Sequence, residues 1–225
     1  MPLAVTGGLE TVALRVPAHA TALSLLAAFG GGVAAPSANR FGSISPTTAR
    51  HVREELGDRV DLVLDGGACD VGVESTIVDV TGEEARILRP GGITREDLEA
   101  ALERAVPAGA AGSPRAPGQH PSHYAPRARV LLVAPADVVH EGERQQALGR
   151  RVGVLLPPGE RAGALQDAIP VPRSLVEYAR SLYDLLRELD RRGNDVIVAS
   201  LPPAEGLGAA IADRLRRAAG PRSSP

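Results

Sequence analysis

Apolar and polar positions alternate between Thr11 and Val16. Val12, Leu14 and Val16 fall on one side, and Thr11, Ala13 and Arg15 on the other, the period-2 pattern of a strand. Arg15 then stands on a strand face that can line a cleft. Ala18 to Phe29 reads as a helix stopped by Gly30, and Gly32 to Ser37 as a short apolar strand running into a turn. Ser45-Pro46 pairs a capping hydroxyl with a proline at the first helical position, predicting a helix to Leu56 that stops at Gly57. Leu62–Leu64, Thr76–Val80 and Ala85–Leu88 are further strand candidates. Thr94 and Asp97 have capping-box spacing ahead of a helix through Arg104.

The pattern then breaks. Val106 to Arg129 holds five prolines and three glycines without an apolar period, which predicts a linker. Beyond it, Val130–Val133, Val152–Leu156 and Asp195–Ala199 read as buried strands. Ser174–Arg191 reads as a long helix with Leu175, Ala179, Leu182, Leu185, Leu186 and Leu189 on its apolar side, and Gly206–Ala219 as a last helix. Strand alternating with helix predicts a small parallel α/β sheet. The expected organisation is a first region over 1–106, a linker over 107–129, an α/β domain over 130–219 and a tail over 220–225.

Composition narrows the chemistry. The 225 residues include 25 basic and 27 acidic side chains, and every basic one is Arg. A near-neutral chain lacks the charge footprint of a dedicated nucleic-acid binder. Without Lys there is no Walker A loop and no Schiff base. Cys69 alone forms no intrachain disulfide and no cysteine-rich zinc site, and His120 and His123 lack partners at metal-ligand spacing, so no metal site is expected. No signal peptide is visible, and Ala20 to Pro36 is too short and too broken to span a bilayer. A cytoplasmic protein without membrane attachment is the expectation.

Several segments could carry chemistry, each with a plainer reading beside it. Ala34 to Arg40 places a strand end, Pro36, Ser37, Asn39 and Arg40 within seven residues. That suits a ligand, or simply a turn tied by its own side chains. Ser45 at a helix start could serve an anion or only cap the helix. Ser75 could meet a carboxylate or pair along a sheet edge. Arg89, before Pro90-Gly91-Gly92, suits bidentate phosphate or carboxylate binding, or a surface ion pair. Gly206-Leu207-Gly208 lacks the third glycine of a dinucleotide fingerprint, and no serine has a paired base for covalent catalysis.

In order, Thr11 to Pro17, Ala35 to Asn39, Ser45 to Thr47, Leu64 to Gly67, Glu74 to Asp79 and Leu88 to Gly92 resemble the back half of the YrdC-type threonylcarbamoyl-AMP synthases. Ala116 to Gly118, His123 to Pro126 and Gly206 to Arg214 resemble the linker and end of that family's long form. The resemblance implies an α/β fold: the back half of a YrdC-like twisted mixed sheet with helices, plus a small Rossmann-like parallel C-terminal domain. It implies a nucleotidyltransferase that makes threonylcarbamoyl-AMP from L-threonine, bicarbonate and ATP. No cofactor is tightly bound, and ATP arrives as substrate with Mg2+. A downstream tRNA threonylcarbamoyl transferase complex uses the product, and with 25 basic against 27 acidic residues strong direct tRNA binding by this chain is not expected. Thr11, Ser37, Ser45, Arg89 and Tyr124 match ATP contacts, and Arg15, Ala35 and Ser75 match threonine contacts. The role of Asn39 is open, and no catalytic residue is assigned because the substrates supply the nucleophile. The family's front portion, with a Lys-x-Arg motif, has no counterpart here. The expectation is therefore an N-terminally truncated chain that is inactive by itself; the alternative is a non-catalytic nucleotide- or partner-binding remnant.

Overall fold

The computed structural model describes residues 3–109 and 124–221. The C-terminal domain is a four-stranded parallel sheet of β3 (Arg129–Val133), β4 (Val152–Leu156), β5 (Asp167–Pro170) and β6 (Val196–Ser200), ordered β3-β6-β4-β5. Its strands alternate between two cores. Val152, Val154 and Leu156 of β4, with Val196 and Val198 of β6, pack beneath α5 (Val138–Ala147) around Val138 and Leu165. Leu155, Ile197 and Ala199 point the other way, beneath α6 (Leu175–Arg191) and α7 (Leu207–Ala218). Because both faces are covered, these strands read as continuous apolar runs. Ser174 caps α6 by accepting from the Glu177 N–H. The buried stripe of α6 is Tyr178, Ala179, Leu182, Tyr183, Leu186 and Leu189, a helical 3–4 spacing. Leu175 and Leu185 are only partly buried at its margin, and the two tyrosines join the core instead.

The first region holds α1 (Leu3–Thr6), α2 (Ala20–Phe29), α3 (Ala49–Leu56), the antiparallel pair β1 (Ile77–Asp79) and β2 (Arg86–Arg89), and α4 (Arg95–Leu102). Gly30 closes α2 in the left-handed conformation, Gly57 closes α3, and Thr94 with Asp97 forms the capping box of α4. The expected start of α3 is corrected. Its N-cap is Thr48, which accepts from the His51 N–H, while Ser45 is drawn inward by a different partner. The last residues before 110 also pair: Ile87 donates to the Pro107 carbonyl at 2.8 Å, and Gly109 to that of Ile87 at 2.8 Å.

Three expected strands do not form. Among the described residues, Thr11–Val16, Gly32–Ser37 and Leu62–Leu64 join no sheet. Leu14, Val16 and Leu62 are 81%, 92% and 76% exposed. Alternation tells which side chains share a face, but a strand also needs a neighbour to complete its ladder, and sequence spacing does not supply one. The helix α2 likewise buries none of its apolar residues.

The two regions share one core. Ile44, Val73 and Tyr124 belong to the same buried cluster as the inner faces of α6 and α7. Gly72 (φ +81°) lies so close to α6 that a Cβ would stand 2.3 Å from the Arg180 Cα. Arg180 Nε donates to the Asp70 carbonyl at 2.7 Å, Arg187 bonds the Ile44 carbonyl and, at 3.1 Å, Glu55, and Thr47 Oγ1 donates to Asp184 at 3.0 Å.

Candidate functional site

The polar centre of the molecule lies where the first region meets α6 and α7, and Glu74 is its hub. Ser45 Oγ donates to Glu74 Oε1 at 2.6 Å. The Tyr183 hydroxyl sits 2.9 Å from both carboxylate oxygens. Arg214 Nε donates to Oε2 at 2.6 Å. Arg214 is wholly buried and is also held by Asp213 at 2.6 Å. Its guanidinium lies over the Tyr124 ring, 5.0 Å from the centroid, and Tyr124 packs against Tyr183 at 5.9 Å.

Local folding brings these groups together. Arg89 ends β2 opposite Ile77 of β1, and its side chain reaches back to Ser75, two residues ahead of that strand. Its Nη2 donates to the Ser75 carbonyl at 2.7 Å, and a hydrogen bond joins it to the Tyr124 side chain. The following turn seats itself on the same backbone. Gly92 donates to the Glu74 carbonyl at 3.0 Å, and a Cβ on Gly91 would stand 2.3 Å from that oxygen and from the Thr76 nitrogen. Only glycine lets the two chain segments approach so closely. Tyr124 itself adopts φ 61°, a left-handed conformation costing a bulky residue about 1–3 kcal/mol, which persists where surrounding contacts fix it.

Burial and charge set the protonation states. Burial pushes the Glu74 carboxyl up, but the charge of Arg214 and the hydrogen bonds from Ser45 and Arg214 outweigh it, so Glu74 titrates below its ordinary value. Burial alone would lower Arg214, and Glu74 with the two tyrosine hydroxyls raises it instead. Burial and the nearby Arg214 charge lower Arg89, against the opposing pull of Tyr124 and Glu74. The hub is thus a fixed pair of opposite charges at neutral pH, with Arg89 a second buried cation beside it.

Of the residues picked out from sequence, Ser45, Ser75, Arg89 and Tyr124 gather here. Thr11 is partly exposed, and Arg15, Ala35 and Ser37 are exposed. No hydrogen bond links the side chains of Thr11, Arg15 or Ser37 to the hub among the described residues. Asn39 donates to the Arg40 and Ser43 carbonyls at 2.9 and 3.1 Å, the local turn role. His120 and His123 lie outside the described residues, as does most of the linker. Among the described residues no group of His, Cys, Asp and Glu side chains could hold a metal ion, and no helix is long and apolar enough to cross a membrane.

Glu74, Tyr183 and Arg214 were not singled out as site residues. One signal for Arg214 lay in the sequence. It falls in the apolar stripe of α7, three after Ile211 and four before Ala218, where a charge must find a partner. Nothing in the sequence points to that partner 140 positions upstream.

Comparison with known proteins agrees along the whole chain. A family described as threonylcarbamoyl-AMP synthase, C-terminal domain, matches residues 93–220, and one described as telomere recombination matches residues 1–91. A threonylcarbamoyl-AMP synthase of Pyrococcus abyssi is 38% identical, over 99% of this chain and 68% of that protein. One of Bacillus subtilis is 41% identical, over 97% of this chain and 66% of that protein. The crystal structure of P. abyssi Sua5 complexed with L-threonine superposes with a TM-score of 0.88 at 36% identity, over 97% of this chain and 66% of that one. This chain spans about two thirds of the length of these relatives. With family models spanning residues 1–91 and 93–220, relatives 38% and 41% identical and a superposition at a TM-score of 0.88, the chain belongs to the threonylcarbamoyl-AMP synthase family.

Proposed function

We propose that this chain carries part of the site at which threonylcarbamoyl-AMP is made from L-threonine, bicarbonate and ATP. The observation that carries this reading is the gathering of Ser45, Ser75, Arg89 and Tyr124, from four separate segments, around one buried charge pair. The threonine amine takes up bicarbonate as a carbamate and releases water. A carbamate oxygen then forms a bond to the α-phosphorus of ATP, and the bond from that phosphorus to the bridging oxygen breaks, releasing pyrophosphate. The substrates supply nucleophile and leaving group. The protein contributes position and charge.

In this reading Ser45, Arg89 and Tyr124, together with Thr11 and Ser37, hold ATP. Arg15, Ala35 and Ser75 hold threonine. Arg89 suits the nucleotide because a buried guanidinium offers a directed cation at little cost in reorganisation. Glu74 is engaged by Ser45, Tyr183 and Arg214, and Asp213 by Arg214 and Arg217. Mg2+ would therefore arrive on the phosphates of ATP rather than on these carboxylates. The product is a reactive mixed anhydride, which a tRNA threonylcarbamoyl transferase complex would consume in the cytoplasm.

The test is transfer of labelled AMP from ATP in the presence of the protein, with thin-layer separation of products. With the family's Lys-x-Arg front portion joined to this chain, the expected result is a labelled mixed anhydride, with pyrophosphate, that requires threonine and bicarbonate together; the 225 residues alone are expected to give none. In that joined protein, nucleotide binding without any threonine-dependent product would overturn the synthase reading and leave a binding module.

A further inference from the structure

We propose that Arg214, on the last helix of the C-terminal domain, is a positioning residue that docks the linker tyrosine: Glu74 and Asp213 fix its guanidinium, which fixes the Tyr124 ring and so where the Tyr124 hydroxyl meets Arg89. The relevance to catalysis rests on the synthase reading. The docking itself does not.

The argument is geometric. Nε of Arg214 is taken by Glu74 and Nη1 by Asp213, each at 2.6 Å. Asp213 is itself pinned by Arg217 Nε, at 3.0 and 3.1 Å from its two oxygens. Nη2 is buried with no hydrogen-bond partner among the described residues. Hydrogen bonding alone therefore does not account for this placement, since an unmet buried N–H is unfavourable. The contact that does is the Tyr124 ring, 5.0 Å from the guanidinium carbon, within cation–π range. Tyr183, also from the C-terminal domain, packs against Tyr124 and bonds the same Glu74. Tyr124 is thus held between side chains of α6 and α7 while its backbone sits at φ 61°. The C-terminal domain acts as the template on which the end of the linker is shaped, and Arg89 of the first region meets a tyrosine already set in place.

The protein offers a direct probe, because it has three tyrosines and no tryptophan. Burial, the largest influence on each, pushes Tyr124, Tyr178 and Tyr183 above the ordinary value near 10. Tyrosinate absorbance is titrated in wild type, Arg214→Met and Glu74→Gln/Arg214→Met, the last sparing the fold an unpaired buried carboxylate. Docking by Arg214 predicts that one tyrosine of three falls to near 10 in the variants, and that adding Tyr124→Phe removes it. Loss of the Arg214 charge with Tyr124 still docked would move that tyrosine further up, because Arg214 lowers it. Such a rise, or release of all three tyrosines together in both variants, overturns the inference. In the AMP-transfer assay of the protein with the front portion joined, Arg214→Met should raise the KM for ATP about tenfold with a smaller fall in kcat. An unmoved Tyr124 in an active synthase sinks the docking alone. A released Tyr124, with no threonylcarbamoyl-AMP made by the protein with the front portion joined, sinks the synthase reading alone.

Discussion

Replacing Glu74 by Gln keeps the shape of the hub and removes its negative charge. Arg214 is then a wholly buried cation whose remaining carboxylate is Asp213. Breaking a buried ion pair from one side costs about 3–5 kcal/mol. Asp213 compensates in part, which places Glu74→Gln near the lower end, about 3 kcal/mol. A chain of this size loses about 2–4 °C of Tm per kcal/mol, so the melt should fall by roughly 6–12 °C. Arg214→Met leaves Glu74 unpaired at 19% side-chain exposure, where solvent softens the loss to about 2 kcal/mol. The double variant removes both charges, and its cost should fall short of the sum by about 2 kcal/mol. The pH dependence has a definite sign. Glu74 titrates below its ordinary value of 4.5 in the folded protein, so its contribution is complete above that value and is lost as the pH falls through the lower folded one. Wild type should weaken in acid more steeply than Glu74→Gln. Thermal melts by circular dichroism decide the matter. Single variants melting within about 1 °C of wild type, or a strictly additive double variant, would refute the buried-pair account.

Three further outcomes follow from the same geometry. Gly72→Ala puts a Cβ against the α6 backbone at a positive φ, and should destabilise by at least about 2 kcal/mol, read by chemical denaturation. Burial and the Arg187 charge hold His51 below 6.5 against the pull of Asp184, so neutral His51 stabilises the fold above that value. Melting temperature should decline as the pH drops below about 6.5, and His51→Gln should flatten the decline. Thr94→Ala removes the capping box of α4 and should cost about 1 kcal/mol in the same denaturation assay, with no change in tyrosine titration.

What the sequence made legible is local or periodic. The capping box at Thr94, the glycine stops at Gly30 and Gly57, and the apolar stripe of α6 follow from neighbours within a few residues. The parallel sheet announced itself as apolar runs, though β5, with Asp167 at its start and Pro170 at its end, is too short and too polar to stand out. Ser45 was misread because Ser-Pro is a strong local signal for a helix start, yet a charge-assisted bond to a distant carboxylate outweighs a cap. The strand at Thr11 failed for the complementary reason. Its alternation is genuine, but pairing is a property of two segments. The hub shows the same limit, since Glu74 lies 109 residues from Tyr183 and 140 from Arg214.

That separation bears on how the polypeptide acquires its shape as it is made. Glu74 leaves the ribosome long before α7 exists, so the nascent first region carries an inward-facing carboxylate whose cation has yet to be translated. It closes only when the final helix arrives, after a loop closure spanning most of the chain. A polypeptide cut short by premature termination ahead of α7 would keep the residues of β1 and β2 yet lack the counter-charge that seals them. It would present an open, protease-sensitive surface to cellular quality control. The Glu74–Arg214 pair can therefore form only once the chain has been made through its last helix.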